Sequence, residues 1–226
     1  MKRVAIVTGA SRGLGLALAT GLSEAGWRLV VDARTQSDLA DAAEWIGGDV
    51  VAVAGDIRDP AHREALIDAA GTADLLVNNA GILGPSPQPP LASYPLEALR
   101  EVFEVNVLAP LALTQRVLPA LRAREGALVN ITSDAAVEAY EGWGGYASAK
   151  AAIEQASAVL AAEEPALRVW WVDPGDLRTR MHQEAFPGED ISDRPLPETV
   201  VPAFVRLVTT RPPSGRVRLA DVTVPA

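Results

Sequence analysis

Tyr146 and Lys150 stand four residues apart in the run GYASAK, residues 145–150, with little but small side chains around them. On a helix, positions i and i+4 share a face. Free tyrosine and lysine both titrate at about pH 10, and an ammonium beside a phenol favours the phenolate, so Lys150 would lower the Tyr146 pKa. A phenol tuned in that way serves as an acid or base near neutrality. A tyrosine with a lysine one turn on is usually an ordinary helix surface, so the rest of the chain has to support the chemistry.

A second chemical run is TGASRGLG, residues 8–15, which follows the apolar stretch VAIV and opens a helical pattern. Gly9 permits a sharp turn, while Gly13 and Gly15 remove side chains where a pyrophosphate would approach the free N–H groups of a helix N-terminus. The chain has no GxxxxGK run, which excludes the phosphate loop of an ATPase.

The elements that must position these residues follow from the apolar periodicity. Short, nearly continuous apolar runs occur at residues 4–7, 29–31, 50–54, 75–77, 127–131 and 169–172, and a seventh strand is expected through 217–219. Strands that are apolar throughout are covered on both faces. Helix-length stretches lie between them at 13–25, 60–70, 96–122 and 146–163. This alternation predicts an α/β fold, a doubly wound parallel sheet of about seven strands with helices on both faces. Ligands of such a sheet bind outside the carboxyl ends of the strands, where the strand order reverses.

These motifs, in this order, resemble the short-chain dehydrogenase/reductase family. The family's TGxxxGxG is matched by Thr8, Gly9, Gly13 and Gly15, and its NNAG by Asn78, Asn79, Ala80 and Gly81. Asn106 matches its helix asparagine, Ser133 its serine thirteen residues before the tyrosine, Tyr146 and Lys150 its YxxxK, and Pro174, Gly175 and Thr179 its PGxxxT. The match runs from residue 4 to about 180.

The resemblance implies a Rossmann-type fold, with residues 1–226 as a single dinucleotide-binding and catalytic domain. It implies a catalytic set of Asn106, Ser133, Tyr146 and Lys150. Tyr146 would exchange a proton with the substrate oxygen as hydride moves between nicotinamide and carbon. Ser133 would hold that oxygen, Lys150 would lower the tyrosine pKa and bind the nicotinamide ribose, and Asn106 would support a water leading to Lys150. The implied cofactor site comprises Gly9, Ser11, Arg12, Gly13, Leu14 and Gly15 in the first turn, Asp56 and Ile57 at the adenine, Asn79, Ala80 and Gly81 after the fourth strand, and Pro174, Gly175, Leu177 and Thr179 near the carboxamide, besides Tyr146 and Lys150.

Cofactor choice turns on LVVDAR, residues 29–34. The family's NAD-selecting acidic position falls on Ala33, and Arg34 follows it. Arg34 and Arg12 suit a 2′-phosphate, so NADP(H) is expected over NAD(H). Asp32 is the complication, since a register one residue different would turn it to the ribose 2′-OH. Asp173, before Pro174, stands where the family often has an uncharged residue, and it reads as a turn residue.

Substrate walls are expected from GPSPQPP (84–90), from 134–144 with Trp143, and from 176–195, which reads as a mobile lid with polar edges. The chemistry expected is that of a ketoreductase or alcohol dehydrogenase. Three alternatives are a non-catalytic NADP-binding redox sensor, an NAD-preferring dehydrogenase, and an enzyme of dehydration or epimerisation, the last usually needing a larger substrate region.

Composition narrows the partners. The 226 residues include 29 acidic and 20 basic side chains, a net charge of -9, with no dense basic run, which argues against nucleic acid and anionic membrane. There is no cysteine, and the two histidines, His62 and His182, form no ligand-spaced cluster, so no metal site is expected. No apolar stretch approaches the length of a membrane span, which points to a cytoplasmic protein. The Ala-rich stretch after Tyr146 and the long helix 96–122 are expected to pack a homodimer or homotetramer.

Overall fold

The computed structural model describes residues 2–224. Seven strands form one parallel sheet: β1 (Val4–Val7), β2 (Arg28–Ala33), β3 (Val50–Ala54), β4 (Leu75–Asn78), β5 (Ala127–Ile131), β6 (Arg168–Asp173) and β7 (Gly215–Arg218). Their order is β3-β2-β1-β4-β5-β6-β7, so the winding reverses between β1 and β4. The helices are α1 (Gly13–Glu24), α2 (Gln36–Ile46), α3 (Pro60–Ala70), α4 (Leu96–Phe103), α5 (Ala109–Ala123), α6 (Gly144–Glu163), α7 (Arg180–Ala185) and α8 (Val201–Thr210).

Strand alternation sends successive side chains into two cores. Ala5 and Val7 join Leu18, Leu22, Leu39 and Phe204 on the face covered by α1, α2 and α8. Val4 and Ile6 join Leu66, Leu113, Val117 and Leu121 on the face of α3 and α5. Helices therefore cover both faces, as the uniformly apolar strands require.

The sequence pattern did not identify α2, α7 or α8. In α2 the buried positions are only Leu39, Ala42 and Ile46, a narrow stripe in a mostly polar segment. The expected single helix over 96–122 is divided: α4 ends at Phe103, a π-helical turn spans Glu104–Leu108, and α5 begins at Ala109. Pro110 has no N–H to return to the carbonyl of Asn106 four residues back, so a regular helix cannot close there. Such π turns are frequent at functional positions.

Candidate active site

The reversal between β1 and β4 brings two loops together. Thr8 Oγ1 accepts the amides of Asn79 and Ala80, both at 3.0 Å, and Asn79 Nδ2 donates to the Thr8 carbonyl at 2.9 Å. The turn after β1 is thereby latched to the turn after β4. Gly9 adopts φ +68°, and a Cβ there would lie 2.9 Å from the Ala80 Cα, so the position needs glycine on both counts. Gly13, at φ +55°, has only the Thr179 methyl near its Cβ direction, at 3.5 Å, leaving the helix N-terminus open to the cleft.

One cleft of about 880 Å³ runs across this crevice. It is lined by Gly9, Ser11, Arg12, Gly13, Leu14 and Gly15, by Arg34, Asp56 and Ile57, by Asn79, Ala80 and Gly81, and by Ser133, Tyr146 and Lys150, with Pro174, Gly175, Leu177 and Thr179 along its far side. The volume lies at the upper end of ligand pockets, enough for a dinucleotide beside a small substrate. Of the expected catalytic and cofactor-binding residues, Asn106 alone is not part of this lining.

Tyr146 and Lys150 lie on α6 as expected, and both are buried. The electrostatics differ from the sequence reading. Burial raises the Tyr146 phenol above its ordinary value, and the negative charges of Asp134 and Asp173 add to this. Burial also lowers Lys150, to about 8. The Lys150 ammonium donates to the Ile131 carbonyl at 2.8 Å and stands 5.4 Å from the Tyr146 ring centre. The expected depression of the tyrosine pKa is therefore absent, because loss of solvent outweighs a cation that is turned toward β5.

Ser133 closes β5. Its hydroxyl donates to Asp134 Oδ1 at 2.8 Å and accepts the Ala135 amide at 3.2 Å. Tyr140 donates to the other oxygen of Asp134 at 2.9 Å. Burial opposes ionisation of this carboxyl, but the hydroxyls of Ser133 and Tyr140 and the Ala135 amide hold it below its usual range. Asp134 and Tyr140 were not singled out in the sequence, although a carboxylate next to a candidate serine was there to be read.

Asn106 sits in the π turn with both ends of its carboxamide bonded to Ile82. Oδ1 accepts the Ile82 amide at 2.9 Å and Nδ2 donates to the Ile82 carbonyl at 2.8 Å. Its side chain thus braces the chain after Gly81, and its backbone carbonyl lacks its usual helical partner because Pro110 has no N–H.

Residues 3–190 match the family described as short chain dehydrogenase. The chain belongs to this family. The 1-deoxy-11-beta-hydroxypentalenate dehydrogenase of Streptomyces avermitilis is 37% identical over 188 residues, covering 78% of this chain and 69% of that protein. Sepiapterin reductase of Mus musculus is 35% identical over 201 residues, covering 80% and 77%. A short chain dehydrogenase from Shigella flexneri, solved in complex with NADP, superposes with a TM-score of 0.86 at 28% identity over 96% of this chain and 95% of its own. Proteins of the short chain dehydrogenase family bind nicotinamide cofactors, and the glycine turn, the open helix N-terminus and the size of the cleft fit such a group.

In this short chain dehydrogenase the end of the cleft beside β2 is defined by charge. Arg12 and Arg34 are exposed, and among the described residues neither forms an ion pair. Asp56 accepts from the Arg58 side chain and amide, which holds its carboxyl below the ordinary value. Asp32 pairs in register with Val53 and is buried, so Arg34 is the first residue beyond the strand. Asp173, which the sequence suggested as a turn residue, is instead the buried last residue of β6. Its carboxylate accepts the Gly175 amide at 2.9 Å and also pairs with Arg216 at 3.2 Å.

The substrate end is more ordered and more aromatic than its sequence suggests. Segment 176–195 contains α7, which Thr179 caps by accepting the His182 amide at 3.1 Å. Ser86 in the Pro-rich stretch donates to the Glu184 carbonyl at 2.6 Å, and the Arg178 amide donates to the Pro195 carbonyl at 2.8 Å. Trp143 packs edge-on to Tyr146 at 5.9 Å and meets Phe186 at 5.8 Å, which in turn packs on His182 at 4.9 Å. Phe186 and His182 were hidden in a segment dominated by charges.

Proposed function

We propose that the protein is an NADP(H)-dependent carbonyl reductase or alcohol dehydrogenase acting on a small molecule. The observation that carries this reading is the convergence of Ser133, Tyr146 and Lys150 on the same cleft as the glycine turn. A bound nicotinamide would supply hydride to the substrate carbon or take it up. Tyr146, raised by burial, is protonated at neutral pH and would donate that proton to a carbonyl oxygen. Ser133 would hold the same oxygen, with Asp134 fixing its hydroxyl. Lys150, on the wall of the cleft and charged below about pH 8, would hold the nicotinamide ribose hydroxyls.

NADP(H) is favoured over NAD(H) because Arg12 and Arg34 flank the adenosine end and form no ion pair among the described residues, whereas a 2′-phosphate brings charge that an acidic protein would otherwise repel. The NADP in the related Shigella flexneri structure agrees with this. Pro174, Gly175, Leu177 and Thr179 would meet the carboxamide, and Ile57 and Asp56 the adenine. One domain would carry both functions. Trp143, which lines the cleft and is backed by Phe186, would receive the apolar part of the substrate.

No helix among the described residues is long and apolar enough to cross a membrane. A cytoplasmic homodimer or homotetramer is proposed, joined through α5 and α6, whose outer faces share a groove lined by Leu111, Leu118 and Val159. The test is a panel of carbonyl compounds followed by NADPH absorbance, with NADH in parallel. Turnover with NADPH supports the reading; tight NADPH binding without turnover on any compound supports a redox sensor instead.

A further inference from the structure

His62 is one of only two histidines, and it is buried on α3 against the end of β2. Its Nε2 lies 3.0 Å from Asp32 Oδ2, and the two side chains are only 5% and 3% exposed. A carboxylate accepts and cannot donate, so His62 Nε2 carries the proton. The other oxygen of Asp32 accepts the Gly9 amide at 2.6 Å. Both carboxylate oxygens are therefore engaged, one by the glycine turn and one by the histidine. Gly55 makes the arrangement possible, since a Cβ there would collide with the His62 ring.

Asp32 lines the same cleft as Arg34, which follows two residues on, just beyond the end of β2. A released carboxylate at this place would act on cofactor choice in two ways. It would accept from a ribose 2′-OH, and it would repel a 2′-phosphate while competing with that phosphate for Arg34. Neither happens while His62 holds Oδ2.

We infer that His62 is a cofactor-selectivity residue that works through Asp32, keeping the β2 carboxylate turned from the adenosine ribose so that Arg34 meets the 2′-phosphate unopposed. His62 touches no cofactor atom itself; it is a positioning residue. The inference rests on the NADP reading above, and it explains how a strand can end in Asp-Ala-Arg and still favour the phosphorylated cofactor.

The test is direct binding of NADPH and NADH to the protein, by fluorescence titration, in the wild type and in His62→Leu, His62→Gln and the double variant His62→Leu/Asp32→Asn. His62→Leu removes the donor, and the ratio of NADH to NADPH dissociation constants should fall at least about tenfold, the size of a hydrogen bond to a charged group. Gln keeps an N–H donor and should retain most of the ratio. The double variant removes the released charge and should restore NADPH preference, and it carries the test if His62→Leu folds poorly by thermal melting. A purely structural histidine would weaken both cofactors alike and leave the ratio unmoved, which overturns the inference while the NADP reading stands. A wild type that binds NADH more tightly than NADPH overturns the NADP reading itself, whatever the His62 variants do.

Discussion

The ammonium of Lys150 donates to the carbonyl oxygen of Ile131 at 2.8 Å, which ties α6 to the last residue of β5, two positions before Ser133. The lysine is thus held by the strand that delivers the serine, and it is held in a buried place. That burial lowers its pKa from 10.5 to about 8. Between those values the folded chain binds fewer protons than the unfolded one, so this group contributes stability as pH rises through the window. A difference of about 2.5 between the two values corresponds to about 3 kcal/mol withheld at pH 7.

Lys150→Met keeps the length and removes the charge. It is expected to be more stable than the wild type at pH 7, with a lead that narrows by pH 9.5 as the wild-type lysine loses its proton. Denaturant unfolding at the two pH values measures this, and a lead independent of pH would show that Lys150 is solvated. The window stops short of pH 10 because Tyr146, with its pKa raised, acts in the opposite sense above it. Catalysis should be lost in the same variant.

Tyr146→Phe preserves the ring and its edge contact with Trp143 at 5.9 Å while deleting the hydroxyl proposed as the proton donor. Turnover is expected to fall by about 10²- to 10⁴-fold, the usual worth of general acid catalysis. NADPH affinity, measured by titration, should barely change. Near-normal turnover would remove the tyrosine from the mechanism.

The strands were legible because covered strands are apolar without a break, and β3 (Val50–Ala54) and β5 (Ala127–Ile131) have the boundaries that their sequences suggest. The cleft-lining motifs were legible because short turns and special backbone angles demand particular residues, as at Gly9. What escaped depends on partners far apart in the chain. His62 and Asp32 are separated by 30 residues, and nothing local marks them as a pair. The π turn at Asn106 follows from Pro110, which as a residue near a helix start looked unexceptional. The tyrosine pKa was misjudged for a related reason: spacing reveals the neighbouring lysine but not the burial that outweighs it.

Asp134 is expected to tune the base used in alcohol oxidation. Its negative charge helps to keep the Tyr146 phenol protonated, so Asp134→Asn should lower the tyrosine pKa and move the rising limb of the oxidation profile to lower pH. The same change loosens the bond from Ser133, now 2.8 Å, so the maximal rate should also change modestly. Profiles of kcat/KM against pH for both proteins provide the check, since that quantity reports the free enzyme. An unmoved limb would mean that solvent screens the carboxylate from the phenol.

Under the proposed NADP(H) reading, Arg34 is the residue expected to meet the 2′-phosphate. It is the first residue beyond β2, exposed on the cleft, and it forms no ion pair among the described residues. A guanidinium can meet a phosphate with two parallel N–H groups. A hydrogen bond to a charged group contributes about 1.5 to 3 kcal/mol, so Arg34→Ala should weaken NADPH roughly ten- to a hundredfold. NADH lacks the phosphate and should change little. Raising salt should likewise weaken NADPH more than NADH in the wild type, and the difference should shrink in the variant, because an exposed ionic contact is screened. Equal loss of both cofactors on titration would make Arg34 a structural residue and leave the phosphate to Arg12, whose own alanine variant would then show the selective loss.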